Sequence, residues 1–149
     1  MTNPHGRALR SGRWSEVDRI YLVTTATRDR EPWFSDFHLG RHLVKALRNE
    51  SGFAETLAYV VMPDHMHWLM RLRQGSMSHV VANVKAASAY AINRHLGRTG
   101  SLWQRGFYDH ALRREEDLRA MARYIVANPL RAGLVENIGQ YSLWDAIWL

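Results

Sequence analysis

The chain has 149 residues, of which 46% are hydrophobic and 23% charged, the size of one domain able to bury a core without staples. It contains no cysteine, which excludes disulfides, thiolate zinc sites and cysteine nucleophiles and leaves His, Asp, Glu, Asn or Gln as the only metal ligands. The 20 basic residues exceed the 14 acidic ones, for a net charge of +6, a balance that suits a polyanionic partner.

Lys45 and Lys85 are the only lysines. The rest of the positive charge is arginine, whose planar fork grips phosphate and stacks on bases. Six Trp and six Tyr add stacking surfaces. No apolar run approaches the ~18 residues of a membrane span, and Met1 to Arg13 lacks the apolar centre of a signal peptide. The expected location is cytoplasmic.

Residues 1–18 are polar and arginine-dotted and are expected to form a flexible basic arm. Ile20 to Thr27 (IYLVTTAT) is β-branched and reads as a strand. After a loop over Arg28 to Pro32, Ser35 or Asp36 can cap a helix whose apolar positions Leu39, Leu43, Ala46 and Leu47 recur at helical spacing. Thr56 to Met62 and His65 to Arg73 read as two strands joined by the tight Pro63-Asp64 break, hence a hairpin. Ser78 to Leu96 is a long helix, and Phe107 to Arg113 a short strand. Glu115 to Ala127 is a third helix, with acidic residues in its first turn and Pro129 as its stop. The aromatic tail within residues 136–149 is expected to fold back onto the body. The first six elements have ferredoxin-like order. The fold class is therefore α+β: an antiparallel sheet with two helices on one face and an additional helix on the other face or at an edge. One domain spans residues 1–149.

Side chains alternate along a strand. Met66, Trp68, Met70 and Leu72 share one apolar face, expected against the two helices. His65, His67, Leu69, Arg71 and Arg73 share the other. Two imidazoles at i and i+2 can hold one metal ion, and the arginines offer a bed for phosphate. The same spacing also fits plain structural or surface histidines, and nothing local supplies a third ligand.

On the last helix, Leu118, Ala122 and Ile125 form the inward stripe, with Asp117, Met121, Tyr124 and Asn128 on one flank. Tyr124 and Asn128 are four apart and therefore neighbours. They suit a nucleophile beside a metal ligand, or equally a packing aromatic beside a helix-ending amide.

Three segments carry a resemblance. Val60-Val61-Met62-Pro63-Asp64-His65-Met66-His67-Trp68 resembles the metal-binding strand of the HUH endonucleases. It is followed by Leu102-Trp103-Gln104-Arg105-Gly106-Phe107-Tyr108-Asp109-His110-Ala111-Leu112-Arg113 and by Ala122-Arg123-Tyr124-Ile125-Val126-Ala127-Asn128-Pro129-Leu130-Arg131-Ala132-Gly133-Leu134-Val135. In this order they are similar to the single-tyrosine HUH transposases, and among them to the REP-associated tyrosine transposases. The resemblance runs from about Ile20 to Val135.

It implies a ferredoxin-like core and a metal-dependent endonuclease and transposase that cuts and rejoins single-stranded DNA at palindromic hairpins through a 5′-phosphotyrosine. Carried over residue by residue, Tyr124 is the nucleophile. His65, His67 and Asn128 hold the divalent cation, Mg2+ or Mn2+. Arg71, Arg73, Trp103, Gln104 and Arg113 are expected at the DNA, with Asp109, His110 and Asp117 as accessory candidates. Asp64, just before the first histidine, matches the acidic or amide residue common there. The implied partner is single-stranded or hairpin DNA of the repetitive extragenic palindrome type, bound by a monomer or a homodimer associated with the nucleoid. Two rivals use the same residues: a cleavage-inactive hairpin DNA- or RNA-binding regulator, and a metal-dependent hydrolase that activates water.

Overall fold

The computed structural model describes residues 15–113 and 115–147. Most of the basic arm expected over residues 1–18 lies outside them. Its last four residues are held rather than loose. Ser15 Oγ accepts the Met77 amide at 3.0 Å, the Glu16 amide donates to the Tyr21 hydroxyl at 2.8 Å, and the Asp18 amide donates to the Leu72 carbonyl at 2.6 Å.

Five strands form one antiparallel sheet. They are β1 (Ile20–Ala26), β2 (Ala54–Met62), β3 (His65–Leu72), β4 (Tyr108–Leu112) and β5 (Trp144–Ala146), in the spatial order β4-β1-β3-β2-β5. Leaving β5 aside, this is the ferredoxin-like arrangement expected from the element order. The short β5 extends the sheet by pairing with β2, Val60 opposite Trp144. The aromatic tail thus folds back as a strand. Three residues carry too little alternation for that strand to be read from sequence.

Helix α1 (Phe37–Asn49) starts where the Asp36 carboxylate accepts the His38 and Leu39 amides, satisfying N–H groups that have no partner inside the helix. Helix α2 (Met77–Leu96) is capped by Ser76 and ends at Gly97, which takes the left-handed conformation with φ 64°, where glycine escapes the Cβ clash. Both pack on one face of the sheet. Val23, Tyr59, Val61, Met66, Trp68, Met70 and Leu72 are buried there against Leu39, Leu43, Leu47, Val80, Val84 and Ile92. Trp68, fully buried, satisfies its indole N–H with Thr56 Oγ1 at 2.9 Å.

Helix α3 (Glu115–Val126) lies on the opposite face. Leu118, Ala122, Ile125 and Val126 pack there on Leu22, Leu57, Val60 and Leu69. A register shift between Thr56 and Ala58 bulges β2 and turns both Leu57 and Ala58 to this side. One more helical turn, α4 (Asn128–Arg131), follows α3, with Pro129 near its start. Pro129 therefore breaks α3 and opens the next turn, where a missing N–H costs nothing. Among the described residues no helix is long and apolar enough to cross a membrane.

Candidate active site

His65 and His67 project from β3 on the face covered by α3, one residue apart on the same side of the pleat. Their ring centroids lie 5.1 Å apart, at 82° to one another. Each ring is held through Nδ1. Thr24, directly opposite His67 on β1, places Oγ1 2.8 Å from His67 Nδ1. Asp64, in the turn before β3, places Oδ1 2.7 Å from His65 Nδ1. A carboxylate only accepts, so His65 donates from Nδ1 and, in its neutral form, keeps its lone pair on Nε2.

Asp64 is itself fastened by Arg30, whose Nε donates to Oδ2 at 3.0 Å. The loop that brings Arg30 there is strained. Asp29 and Arg30 have φ of 56° and 55°, a region that non-glycine residues occupy at a cost and that clusters near functional sites. Thr27 holds the loop closed by donating from Oγ1 to the Glu31 carbonyl at 2.7 Å, and its amide donates to the Asp64 carbonyl. Burial alone would raise the Asp64 carboxyl. The hydrogen bond from His65 and the adjacent Arg30 outweigh it and hold the group below its ordinary value.

These residues fit a divalent cation. Orienting both imidazoles through Nδ1 is how proteins fix the coordinating nitrogen of a metal-bound histidine. Among the described residues no three His, Asp or Glu side chains group around one point. Two imidazoles and an amide form a low-charge donor set, and oxygen-loving cations must then take further ligands from a substrate.

The other wall of the site is helical. Asp117, Met121, Tyr124 and Asn128 all line one cleft of about 1110 Å³ together with His65, His67 and His110. This is the flank expected from their spacing. The break after Val126 does not interrupt it, because α4 carries Asn128 onward and adds Arg131. Tyr124 is 60% exposed, and the Arg131 guanidinium carbon lies 3.9 Å from its ring centroid. Among the described residues, Arg19, Arg113 and Arg131 line the cleft with one carboxylate, Asp117, a field suited to a phosphodiester.

Several expected residues sit elsewhere. Arg71 and Arg73 share the histidine side of β3 but are already engaged. Arg73 pairs with Glu55 at 2.8 Å, and Arg71 approaches the same carboxylate at 3.5 Å. Arg71 is six residues beyond His65, about 20 Å along a strand, and neither arginine lines the cleft. Trp103 is only 6% exposed. It packs on Phe34 with centroids 5.4 Å apart and donates from Nε1 to Ser88 Oγ at 3.0 Å, so it serves the core and has no face to offer a base. Gln104 stays beside it, its amide bonded to the Ala26 carbonyl. Asp109 is buried opposite Val23 on the α1/α2 side of the sheet; strand alternation sends His110 into the cleft and Asp109 away from it. Arg113 and Asp117 do line the cleft.

Arg19 and Arg131 escaped the sequence reading. Arg131 is seven residues after Tyr124 and three after Asn128, so it continues the same helical flank. Reading Pro129 as a stop hid it.

A family model described as "Transposase IS200 like" matches residues 18–128. A REP-associated tyrosine transposase of Escherichia coli is 25% identical over 135 residues, 89% of this chain and 75% of that protein. A Haemophilus influenzae protein named as a REP-associated tyrosine transposase is 31% identical over 95 residues, 56% of this chain and 54% of its own length. The chain thus spans about half of the second relative. Among solved structures, a REP-associated tyrosine transposase bound to a REP hairpin superposes with a TM-score of 0.74 at 24% identity, covering 91% of this chain and 81% of that one. That likeness carries the fold.

Proposed function

The chain belongs to the IS200-like transposase family, and from that premise we propose that its cleft cuts and rejoins single-stranded DNA at palindromic hairpins, with Tyr124 as the nucleophile. The observation that carries this reading is the meeting of two elements in one cleft. The oriented pair His65 and His67 stands on β3, and Tyr124 and Asn128 stand on the helical wall facing it. The likeness to a relative solved on a REP hairpin supports hairpin DNA as the partner.

His65 and His67 would hold the cation through Nε2, with the Asn128 side-chain oxygen as a third donor. When bound, a divalent cation withdraws charge from the non-bridging phosphate oxygens and favours attack at phosphorus. The steps of the chain's own residues follow. The phenolic oxygen of Tyr124 attacks phosphorus in line and loses its proton. The bond from phosphorus to the 3′-oxygen breaks, and that oxygen takes up a proton to become a 3′-hydroxyl. The 5′-phosphate stays on Tyr124 as a phosphodiester. Because the bond energy is kept, the same or another 3′-hydroxyl can attack back, restoring the phenol. Asp117, on the same flank of α3, lines the cleft and is the candidate to take the phenolic proton. Arg19 and Arg113 grip the backbone, with Arg71 and Arg73 as outer contacts on the same side of the sheet.

The test is incubation of the full chain with single-stranded hairpin oligonucleotides from its own genome, with Mn2+ and with a chelator. A protein–DNA adduct that survives boiling in detergent, formed with Mn2+ only, is expected. Tight hairpin binding with no cleavage would replace this reading with a hairpin-binding regulator. Cleavage without an adduct would mean that water is the nucleophile.

A further inference from the structure

Among the described arginines that line the cleft, Arg131 stands apart. Arg19 is committed to Glu16 at 2.9 Å. Arg131 forms no ion pair among the described residues, and its guanidinium lies instead over the Tyr124 ring at 3.9 Å. Tyr124 needs such a support. Its side chain is largely exposed, and among the described residues its hydroxyl makes no hydrogen bond. An exposed tyrosine samples several staggered rotamers, whereas in-line attack requires one.

The backbone holds the arginine beside the ring. The Arg131 amide donates to the Ala127 carbonyl at 3.0 Å and the Ala132 amide to the Asn128 carbonyl at 2.9 Å. One hydrogen-bonded turn thus carries both Asn128 and Arg131. A guanidinium that stacks through its face keeps its N–H donors at the edge. It can cover a ring and bond a phosphate oxygen at the same time.

Resting on the reading of Tyr124 as nucleophile, we propose that Arg131 is its positioning residue: stacking fixes the ring over the cleft, and the guanidinium edge binds an oxygen of the phosphodiester under attack. Ring orientation is then coupled to phosphate occupancy. The stack is present before DNA arrives, and the edge contact tightens as charge develops on the phosphoryl oxygens.

Two measurements on the full chain test this. The first needs no DNA. The Tyr124 ring resonances, assigned by their loss in Tyr124→Phe, should move toward exposed-tyrosine values in Arg131→Ala and much less in Arg131→Lys, which keeps a cation over the ring. Resonances that do not move overturn the stack. The second uses a single-stranded hairpin oligonucleotide with Mn2+. Arg131→Ala should slow adduct formation at saturating DNA by roughly 10- to 100-fold, with hairpin Kd within about twofold and Tm unchanged. Arg131→Lys should recover most of the rate and Arg131→Gln little. A raised KM with unchanged kcat would make Arg131 a plain phosphate contact and overturn the proposal. So would a drop in Tm shared by all three variants. An adduct that persists in Tyr124→Phe, or no adduct in the wild type, defeats the nucleophile reading instead, and the ring resonances still report whether the stack exists.

Discussion

Asp64 divides its carboxylate between His65 Nδ1, at 2.7 Å, and Arg30 Nε, at 3.0 Å. The tight turn between β2 and β3 is therefore also the bracket for the first histidine of the pair. Asp64→Ala should weaken Mn2+ binding by roughly 10- to 100-fold, because the His65 ring loses its orientation and its preferred tautomer. Arg30→Ala should weaken it less, since Arg30 is exposed and acts through Asp64. Titration calorimetry of the DNA-free protein reads both. Equal affinity in wild type and Asp64→Ala would mean that the turn has no part in the metal site.

Tyr124→Phe removes one oxygen from an exposed ring and should keep hairpin binding while abolishing the covalent adduct. Tyr108 is the natural control. It lies opposite Thr24, on the histidine side of β4, but does not line the cleft. An adduct that survives Tyr124→Phe and disappears in Tyr108→Phe would move the nucleophile to β4.

His65→Ala and His67→Ala should each eliminate Mn2+ binding and adduct formation while lowering stability by no more than about 1 kcal/mol, the scale of changes outside a core. Thermal melts with and without Mn2+ separate the two effects. A large loss of stability in both variants with metal binding intact would make the pair structural.

DNA affinity should fall steeply with salt. Arg113, exposed on the cleft rim, should carry about 0.7 of the log–log slope if it neutralises one phosphate of a single strand. Arg71→Ala should change the slope less, because Glu55 already holds that guanidinium. A salt titration of both variants on a cognate and a scrambled hairpin decides it. A larger effect at Arg71 would run the DNA along the far half of β3 instead of into the cleft.

Lys85 should leave a signature in alkali. Burial lowers it to about 8, and its ammonium donates to the Gln104 and Gly106 carbonyls. Between that value and its ordinary 10.5, the unfolded chain binds the proton and the folded chain does not. Raising pH across this window therefore favours the folded state at this site. Denaturant melts at pH 7.5 and 10 should show wild type gaining on Lys85→Met. A difference that shrinks would contradict the assignment.

Much of this molecule was legible in its sequence, for physical reasons. Period two on β3 separated Met66, Trp68, Met70 and Leu72 from His65 and His67, because one face is buried under two helices and the other carries polar work. The 3.6-residue period of α3 brought Asp117, Tyr124 and Asn128 to one flank. What was hidden depends on contacts between distant segments. Trp103 reads as a stacking platform until Phe34 and Ser88 are seen to enclose it. Arg71 and Arg73 read as free cations until the register of β2 brings Glu55 beside them. Asp109 and His110 are neighbours in sequence, and only the pairing of β4 with β1 decides which one faces the histidines.

The two sides of the sheet are unequally loaded. Two long helices bury one side, whereas α3 covers the other with little beyond Leu118, Ala122, Ile125 and Val126. The histidines thus belong to the central strand of the sheet and the tyrosine to a helix held by a thinner apolar layer. In amide exchange, β3 should report global unfolding, while α3 should open at lower free energy as a separate cooperative unit. Damage to the two layers would then differ in kind. A weakened α1/α2 core would lose every function together, but a loosened α3 would leave the sheet folded with His65 and His67 in place and displace only Tyr124.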